Sequence, residues 1–338
     1  MLNSSAVVIG NWQIFHNGHL SLFEQALQQF NHLIVVLNSP FRSRDSRNPF
    51  NLQERIGLIK SSLPGKYRDR VSFVSVRNYA HDDAWVRNLI NVVELSVEQN
   101  TVFTLFHCTN DSNSTWKLVR NWHSALVPSD YPYLNSTYLR DALFSSNVVD
   151  EGLSRIANSI PTSVAEYIRN WATFSEFTNA VREHTAITNY KKTWYAPSYF
   201  TADSLVVANN HVLLVQRGGS IGYGQWALPG GFVDSGEPIF DAALRELREE
   251  TSLDCSVAFA NDHLISSKVF DYPFRSPRGR IITTAFFFDL GDNISLPVVR
   301  GQDDAMTAKW IPICDLLSYE SCLFEDHAAI LDAFLCIF

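Results

Sequence analysis

Apolar runs alternate with helical patterns through the first half of the chain. Four runs rich in valine, isoleucine, leucine and phenylalanine predict buried strands at residues 6–9, 33–37, 71–76 and 102–106. Between them, apolar residues recur at helical spacing, first at Leu20, Phe23, Leu27 and Phe30 and then at Ile56, Ile59 and Leu63. Such alternation predicts an α/β fold with a doubly wound parallel sheet.

The pattern changes after residue 172. Residues 173–196 are more polar and predict a linker helix that Pro197 ends. Further strands of a mixed sheet are predicted at residues 204–208, 212–215 and 281–288, with one strongly periodic helix at about 239–250. We therefore expect an N-terminal domain at 1–172, the linker at 173–196 and a C-terminal α/β domain at 197–338.

Composition excludes several classes of protein. Of the 338 residues, 46% are hydrophobic and 18% are charged, which excludes a disordered chain. The net charge of −8 argues against nucleic acid as a partner, and no apolar run is long enough to span a membrane. Five cysteines without a Cys-x-x-Cys pair predict reduced thiols in a cytoplasmic protein. A homo-oligomer stays open.

A glycine loop precedes an acidic helix in the second half of the chain. Gly230 and Gly231 let the backbone approach a phosphate closely. The helix then places three carboxylates on one face, those of Glu246, Glu249 and Glu250. Clustered carboxylates repel one another unless a cation neutralises them, and oxygen ligands suit Mg²⁺ or Mn²⁺. The alternative is a solvated acidic helix.

This pattern resembles the Nudix hydrolase box. The resemblance includes fixed offsets from Gly231 to Glu237 and Arg245, which a solvated helix does not explain. It implies metal ligands at Glu246, Glu249 and Glu250, of which Glu249 and Glu250 are also catalytic. It further implies a supporting ion pair between Glu237 and Arg245. Ser252 stands where the family has glycine, which predicts a local stability cost at the helix end.

Two features outside the box leave alternatives open. The general base is expected in one of two acidic pairs, Asp303 and Asp304 or Glu325 and Asp326. A turn-rich basic segment contains Arg275, Arg278 and Arg280. This segment either clamps phosphate or ribose oxygens, with Arg275 and Arg280 as the substrate contacts, or is a solvated hairpin tip.

Two histidines follow the first predicted strand directly. His16 and His19 stand at the start of the first helix, where side chains can contact phosphates that face backbone N–H groups. Gly10 ends the strand, and Gly18 lets the chain come close to a ligand. Neither a P-loop nor a Gly-x-Gly-x-x-Gly fingerprint is present, so kinases and dehydrogenases lose their usual support. A structural histidine pair is the alternative.

The histidine segment resembles the His-x-Gly-His motif of nucleotidylyltransferases. Their second signature is a Ser/Thr-rich turn followed by arginine, which fits Ser136, Thr137 and Arg140. The resemblance implies that ATP binds here, that Ser136 and Thr137 contact it, and that the catalytic residues are His16, His19 and Arg140.

Further segments resemble the nicotinamide mononucleotide adenylyltransferase branch. They imply a substrate loop at Arg47 and Asn48, an aromatic contact to nicotinamide at Trp85 and a polar turn at Asp111. Core packing is the alternative for Trp85.

The sequence also departs from that branch. Asn11 and Ile14 stand where the branch has arginine and proline. The lost arginine weakens adenylyl transfer unless Arg42, Arg44 or Arg47 compensates.

The whole chain resembles bifunctional nicotinamide mononucleotide adenylyltransferase/Nudix hydrolase proteins. The resemblance implies a nucleotidylyltransferase domain that makes NAD and pyrophosphate from ATP and nicotinamide mononucleotide. It also implies a Nudix domain that hydrolyses ADP-ribose to AMP and ribose 5-phosphate with Mg²⁺ or Mn²⁺. The alternatives are an ADP-ribose sensor without hydrolysis and a hydrolase whose first domain is inactive or uses another acceptor. The intact glutamates speak against the sensor.

Overall fold

The computed structural model describes residues 4–77, 82–108, 119, 121–193, 198–253, 255, 262–292 and 295–338. Contacts divide the chain into two units, Met1–His184 and Thr185–Phe338. The division falls within one helix, Ser175–Thr193. The linker bounds at residues 173 and 196 remain a prediction.

A five-stranded parallel sheet forms the first unit and confirms the doubly wound α/β prediction. Its strands are β1 (Ser4–Gly10), β2 (His32–Asn38), β3 (Val71–Val76), β4 (Val102–Cys108) and β5 (His123–Val127). They lie in the order β3-β2-β1-β4-β5, so the chain changes direction across the sheet between β1 and β4. Ligands of open parallel sheets bind beyond the carboxyl ends of the strands at such a point.

Helices cover both faces of this sheet. They are α1 (Asn17–Gln29), α2 (Leu52–Ser62), α3 (Asp82–Glu94), α4 (Ser136–Phe144), α5 (Val149–Ile156), α6 (Thr162–Trp171) and α7 (Ser175–Thr193). Ala6 and Val8 point into one apolar cluster with Phe23, and Val7 points into another with Leu89. Because alternate residues of a strand face opposite sides, burial on both faces requires the continuous apolar runs seen in the sequence.

A mixed sheet forms the second unit, as predicted. Its strands are β6 (Tyr199–Ala208), β7 (His211–Arg217), β8 (Trp226–Ala227), β9 (Gly230–Phe232), β10 (Leu264–Phe270), β11 (Ile281–Asp289) and β12 (Ala305–Pro312). The main path runs β10-β11-β6-β7-β12, and β9 pairs with β6 and β8 with β7. Only the β6–β11 pair among these described strands is parallel.

Three α-helices of the second unit are described: α8 (Ile239–Thr251), α9 (Leu316–Tyr319) and α10 (His327–Leu335). Leu244 and Leu247 of α8 lie in an apolar cluster with Val206 and Phe288. Ile330 of α10 lies in a second cluster on the other alternate residues of the strands. The central strands of the sheet are therefore buried on both faces, and α8 packs on one of them by its apolar side.

Ser252 ends α8 in the left-handed conformation, with φ of 58° and ψ of 15°. This geometry is the one that glycine adopts without strain and that a Cβ atom makes costly. The stability cost predicted from the sequence therefore has a definite cause in the backbone.

We expect Ser252→Gly to raise the free energy of unfolding by about 1 kcal/mol, because glycine removes the Cβ strain. Urea unfolding followed by tryptophan fluorescence measures the change. Ser252→Ala is the matched control, since it removes the hydroxyl and keeps the Cβ. Equal stability of the glycine and alanine variants would contradict the explanation.

Candidate active sites

Arg245 is the centre of the polar network on α8. Its guanidinium donates to both carboxylate oxygens of Glu237 at 2.9 Å, to Glu246 at 2.8 Å and to Glu249 at 3.1 Å. It also donates to the carbonyl oxygen of Phe232 at 3.0 Å. The predicted ion pair with Glu237 is therefore present, and the same side chain ties the glycine loop to two of the proposed metal ligands.

Glu250 is the buried member of the acidic face. Its side chain is 5% exposed and accepts the backbone N–H of Gly230 at 2.9 Å. Burial raises the pKa of Glu250 to about 8, although the Gly230 N–H and the charge of Arg217 act in the opposite direction. Burial also raises the pKa of Glu246. Both carboxylates would be stabilised in their charged forms by a nearby cation.

The residues of the acidic face fit a divalent cation. Glu246, Glu249 and Glu250 offer oxygen donors only, which is the ligand type that Mg²⁺ and Mn²⁺ prefer. Within the described ranges, no three acidic, histidine or cysteine side chains already converge as a metal site. Arg245 donates hydrogen bonds to Glu246 and Glu249, two of the three glutamates. A cation that binds these carboxylates must therefore share them with Arg245 or displace it.

The two loop glycines are needed because other groups lie very close to them. A Cβ atom on Gly231 would overlap the carboxylate of Glu246, and one on Gly230 would overlap the Ala202 carbonyl and the Asp203 carboxylate. Neither glycine has a positive φ. The loop therefore needs glycine because acidic side chains approach it closely. The approach of the loop to a phosphate stays a prediction.

Arg217 and Asp203 join this site, and neither was identified from the sequence. Arg217 ends β7 and lies over the Phe324 ring, 4.2 Å from its centroid. Burial lowers the pKa of Arg217, and the charge of Glu250 is among those that counteract the shift. Burial raises the pKa of Asp203, whose carboxylate accepts the Thr283 hydroxyl at 2.5 Å.

No motif marks Arg217 and Asp203 in the sequence, and only their positions before the glycine loop could have pointed to them. Arg217 and Asp203 lie on strands flanking the glycine loop in the sheet, because β6 pairs with β9 and β7 pairs with β8.

The basic segment is not a solvated hairpin tip. Arg275 is 4% exposed and donates to both oxygens of Asp326, at 2.9 and 2.7 Å. Arg278 donates to Glu325 at 3.1 and 3.3 Å. Arg280 donates to the backbone carbonyl of Asp271.

Two of the four proposed general bases are thus engaged in ion pairs. Burial alone would raise the pKa of Glu325, but Arg278 and the Ser276 hydroxyl hold it below the usual value. Asp303 differs, since its charge contributes to the raised pKa of Glu246 and so lies near the acidic face.

In the first unit, His16 and His19 stack at the start of α1, with ring centroids 3.4 Å apart. His16 caps the helix, because its Nδ1 accepts the backbone N–H of His19 at 3.2 Å. Burial lowers the pKa of His16 to about 3, and burial together with His16 lowers the pKa of His19. Both rings are therefore neutral near pH 7 and offer N–H donors without charge.

His19 Nδ1 is a buried polar atom that finds no hydrogen-bond partner among the described residues. Buried polar atoms are normally paired, so this atom points to a ligand. Gly18 lies against the His16 ring, since a Cβ there would lie 3.1 Å from His16 Nδ1. At the end of β1, a Cβ on Gly10 would lie 3.0 Å from the Trp12 ring.

The second signature packs against the histidine loop. Arg140 donates to the carbonyl of Gln13 and, at 3.2 Å, to the Thr137 hydroxyl. The Ser136 hydroxyl donates to the carbonyl of Ile14 at 3.4 Å. Burial lowers the pKa of Arg140 to about 10. The structure thus brings together the two motifs that the sequence separates.

The loop between β2 and α2 lies close to Arg140. The carboxylate of Asp45 raises the pKa of Arg140 and the charge of Arg47 lowers it. Asp45 Oδ1 accepts the backbone N–H groups of Arg47 at 2.8 Å and Asn48 at 2.5 Å. The predicted substrate residues therefore sit in a tight turn organised by one aspartate.

Of the arginines proposed to replace the one missing at position 11, Arg44 is already paired. It donates to both oxygens of Glu54, at 2.6 and 2.8 Å. Arg42 lies 3.7 Å from Asp45, and its Nε and Nη2 atoms are buried without a hydrogen-bond partner among the described residues. Arg42 is therefore better placed than Arg44 to receive a phosphate.

Two further predicted contacts stay predictions. Trp85 is 8% exposed and packs with Leu89 and Val93 in an apolar cluster, which agrees with the core alternative. Asp111 lies outside the described residues.

Comparisons with known proteins give the same two-part organisation. Residues 7–142 match the Cytidylyltransferase-like family model, and residues 199–334 match the NUDIX domain model. A solved bifunctional NMN adenylyltransferase/ADP ribose pyrophosphatase from Francisella tularensis, complexed with AMP and a manganese ion, is similar over 98% of both chains. Its TM-score is 0.88 and its sequence is 27% identical.

Curated relatives match one unit each. A nicotinamide/nicotinic acid mononucleotide adenylyltransferase from Acinetobacter baylyi is 28% identical over 43% of this chain. An ADP-ribose pyrophosphatase from Methanocaldococcus jannaschii is 34% identical over 34% of it. The aligned parts cover 77% and 62% of these two relatives.

Fold and motifs define a two-domain protein in which a nucleotidylyltransferase domain precedes a Nudix domain. The chain belongs to the bifunctional nicotinamide mononucleotide adenylyltransferase/Nudix hydrolase family. None of its described helices is long and apolar enough to cross a membrane.

We expect Gly231→Ala to weaken Mn²⁺ binding at least tenfold, because the new methyl group displaces the Glu246 carboxylate. Titration with Mn²⁺ followed by electron paramagnetic resonance measures the affinity. Gly219→Ala is the matched control, since a Cβ there meets nothing within 4 Å. Equal affinities of the two variants would show that Glu246 does not hold the metal.

Proposed function

We propose that the protein is a bifunctional enzyme of NAD metabolism in the cytoplasm. The first unit transfers AMP from ATP to nicotinamide mononucleotide, and the second hydrolyses ADP-ribose to AMP and ribose 5-phosphate. The observation that carries the proposal is the likeness over 98% of both chains to an enzyme named for both activities. None of the five cysteines, all of them within the described residues, forms a disulfide bond, which supports a reducing compartment.

In the first unit, an oxygen of the mononucleotide phosphate attacks the α-phosphorus of ATP and pyrophosphate leaves. This reaction needs positioning and charge neutralisation more than a protein nucleophile. His16 and His19 donate neutral hydrogen bonds to the phosphates, and Arg140 supplies positive charge. Because negative charge moves onto the leaving pyrophosphate, the contact with Arg140 strengthens in the transition state.

Arg42 and Arg47 supply the remaining positive charge of that site. Arg42 has buried donors without a hydrogen-bond partner in the described structure, although its Nε lies 3.7 Å from Asp45. Arg47 lies near enough to Arg140 to lower its pKa. Arg42 therefore takes the role of the arginine that is missing at position 11.

In the second unit, Glu246, Glu249 and Glu250 would hold Mg²⁺ or Mn²⁺. A bound divalent ion neutralises pyrophosphate oxygens and lowers the pKa of water. The charge of Arg217 interacts with that of Glu250, and its guanidinium binds the pyrophosphate. Asp303 is the favoured general base, because its charge acts on Glu246, whereas Glu325 and Asp326 are engaged by arginines.

The rival functions are a sensor that binds ADP-ribose without cleaving it and an adenylyltransferase for another mononucleotide. All three glutamates of the box are present, which favours hydrolysis over sensing. Incubation with ATP, Mg²⁺ and a panel of mononucleotides, and separately with ADP-ribose, distinguishes the three.

We expect Glu250→Gln to lower ADP-ribose hydrolysis by at least 100-fold while leaving the fold intact, because the amide loses the charge that attracts the metal. Release of AMP, measured by chromatography, is the assay. Asp241→Asn removes an exposed charge from the first turn of the same helix and serves as the control. Turnover by folded Glu250→Gln at the level of that control would refute the assignment.

We expect His19→Ala and Arg140→Ala each to lower kcat for NAD synthesis about 100-fold or more, with a smaller effect on KM. ADP-ribose hydrolysis should be unchanged in both. Arg87→Ala, an exposed arginine on α3, is the control for lost positive charge. If KM alone rises, the two side chains bind ATP and play no part in the transition state.

A further inference from the structure

Glu183 lies far in sequence from both motifs of the first unit, yet it contacts the substrate loop. Its side chain is 5% exposed, and its Oε2 accepts the backbone N–H of Ser46 at 2.5 Å. The two residues are 137 positions apart, and Glu183 lies on α7. A carboxylate that accepts a backbone N–H in a buried site makes a charge-assisted hydrogen bond, which is stronger than a neutral one.

The contact falls in the middle of the segment proposed to bind the mononucleotide. Ser46 is flanked by Asp45, whose carboxylate organises the turn, and by Arg47. Asp45 holds the N–H groups of Arg47 and Asn48 from within the loop. Glu183 holds the preceding N–H group, that of Ser46, from outside the loop.

His184, the next residue of α7, lies close to α4, the helix that carries Arg140. His184 Nδ1 lies 3.8 Å from a carboxylate oxygen of Asp141, which follows Arg140 on α4. Asp45 and Arg47 are themselves close enough to Arg140 to change its pKa. Consecutive residues of α7 thus touch the substrate loop and the helix that carries the proposed catalytic arginine.

We propose that Glu183 is a positioning residue that fixes the loop 43–48 in the conformation that binds the mononucleotide, a role that rests on the proposed adenylyltransferase function. Without this carboxylate, the buried N–H of Ser46 has lost its acceptor, and the loop must be ordered when the ligand binds. That ordering cost appears as weaker mononucleotide binding, since Glu183 contacts no reacting atom.

The test compares Glu183→Ala with Glu183→Gln, whose amide oxygen can still accept the N–H. Thr178→Ala is the control, an exposed substitution on the same helix. Calorimetry measures binding of nicotinamide mononucleotide, steady-state kinetics measures KM for each substrate, and hydrogen exchange reports on residues 43–50.

We expect Glu183→Ala to weaken mononucleotide binding about tenfold or more, as loss of a buried charge-assisted hydrogen bond predicts. The KM for ATP, kcat and ADP-ribose hydrolysis should change less than twofold. Exchange in the loop should become faster. Glu183→Gln should recover most of the affinity, and Thr178→Ala should resemble the wild type.

Unchanged mononucleotide affinity in Glu183→Ala would overturn the inference, as would equal weakening of ATP and mononucleotide binding with a lowered melting temperature. If Glu183→Ala does not fold, Glu183→Gln and the exchange rate of the loop decide the question. Absence of NAD synthesis by the wild type would instead refute the adenylyltransferase function, and the calorimetric comparison would still test the role of Glu183.

Discussion

The guanidinium of Arg245 makes the acidic face of the second unit possible. Three carboxylates on adjacent turns of a helix repel one another, and two of them accept hydrogen bonds from this one cation. The same side chain holds Glu237 and the carbonyl of Phe232, so helix and glycine loop are fixed together. Glu250 lacks this partner and has a pKa raised to about 8 by burial. The carboxylate of Glu250, whose charged form is among the three the one most disfavoured by burial, thus lies beside the glycine loop.

Arg55 has a comparable role in the first unit with a different kind of acceptor. It is 2% exposed and donates to the carbonyls of Asn11, Asn38 and Ser39 at 2.8–3.1 Å. These carbonyls lie beyond or at the ends of β1 and β2, where the loops of the site begin. Burial lowers the pKa of Arg55 to about 10, so it stays charged near pH 7. The Arg55 guanidinium therefore links the starts of these two loops through hydrogen bonds to uncharged carbonyl oxygens.

The sequence predicts what depends on local spacing and cannot predict what depends on distant contacts. Buried strands and the acidic helix follow from runs and periodicity, whereas β10 was missed because six of its seven residues are exposed. The pairing of Arg275 with Asp326 and of Ser46 with Glu183 joins residues 51 and 137 positions apart. Trp85 was ambiguous for another reason, since a large aromatic residue suits a core and a ligand equally well.

The two candidate sites offer opposite chemistry to a ligand. The first offers hydrogen-bond donors: neutral imidazoles whose pKa values are lowered by burial, and an arginine beside them. Because His16 titrates near pH 3, its ring stays a neutral donor throughout the physiological range. The second offers mainly acceptors, whose charge must be matched by a cation before a pyrophosphate can approach. In the proposed function, a phosphate would thus bind the first set of residues directly, whereas at the acidic face it would depend on the metal and on Arg217.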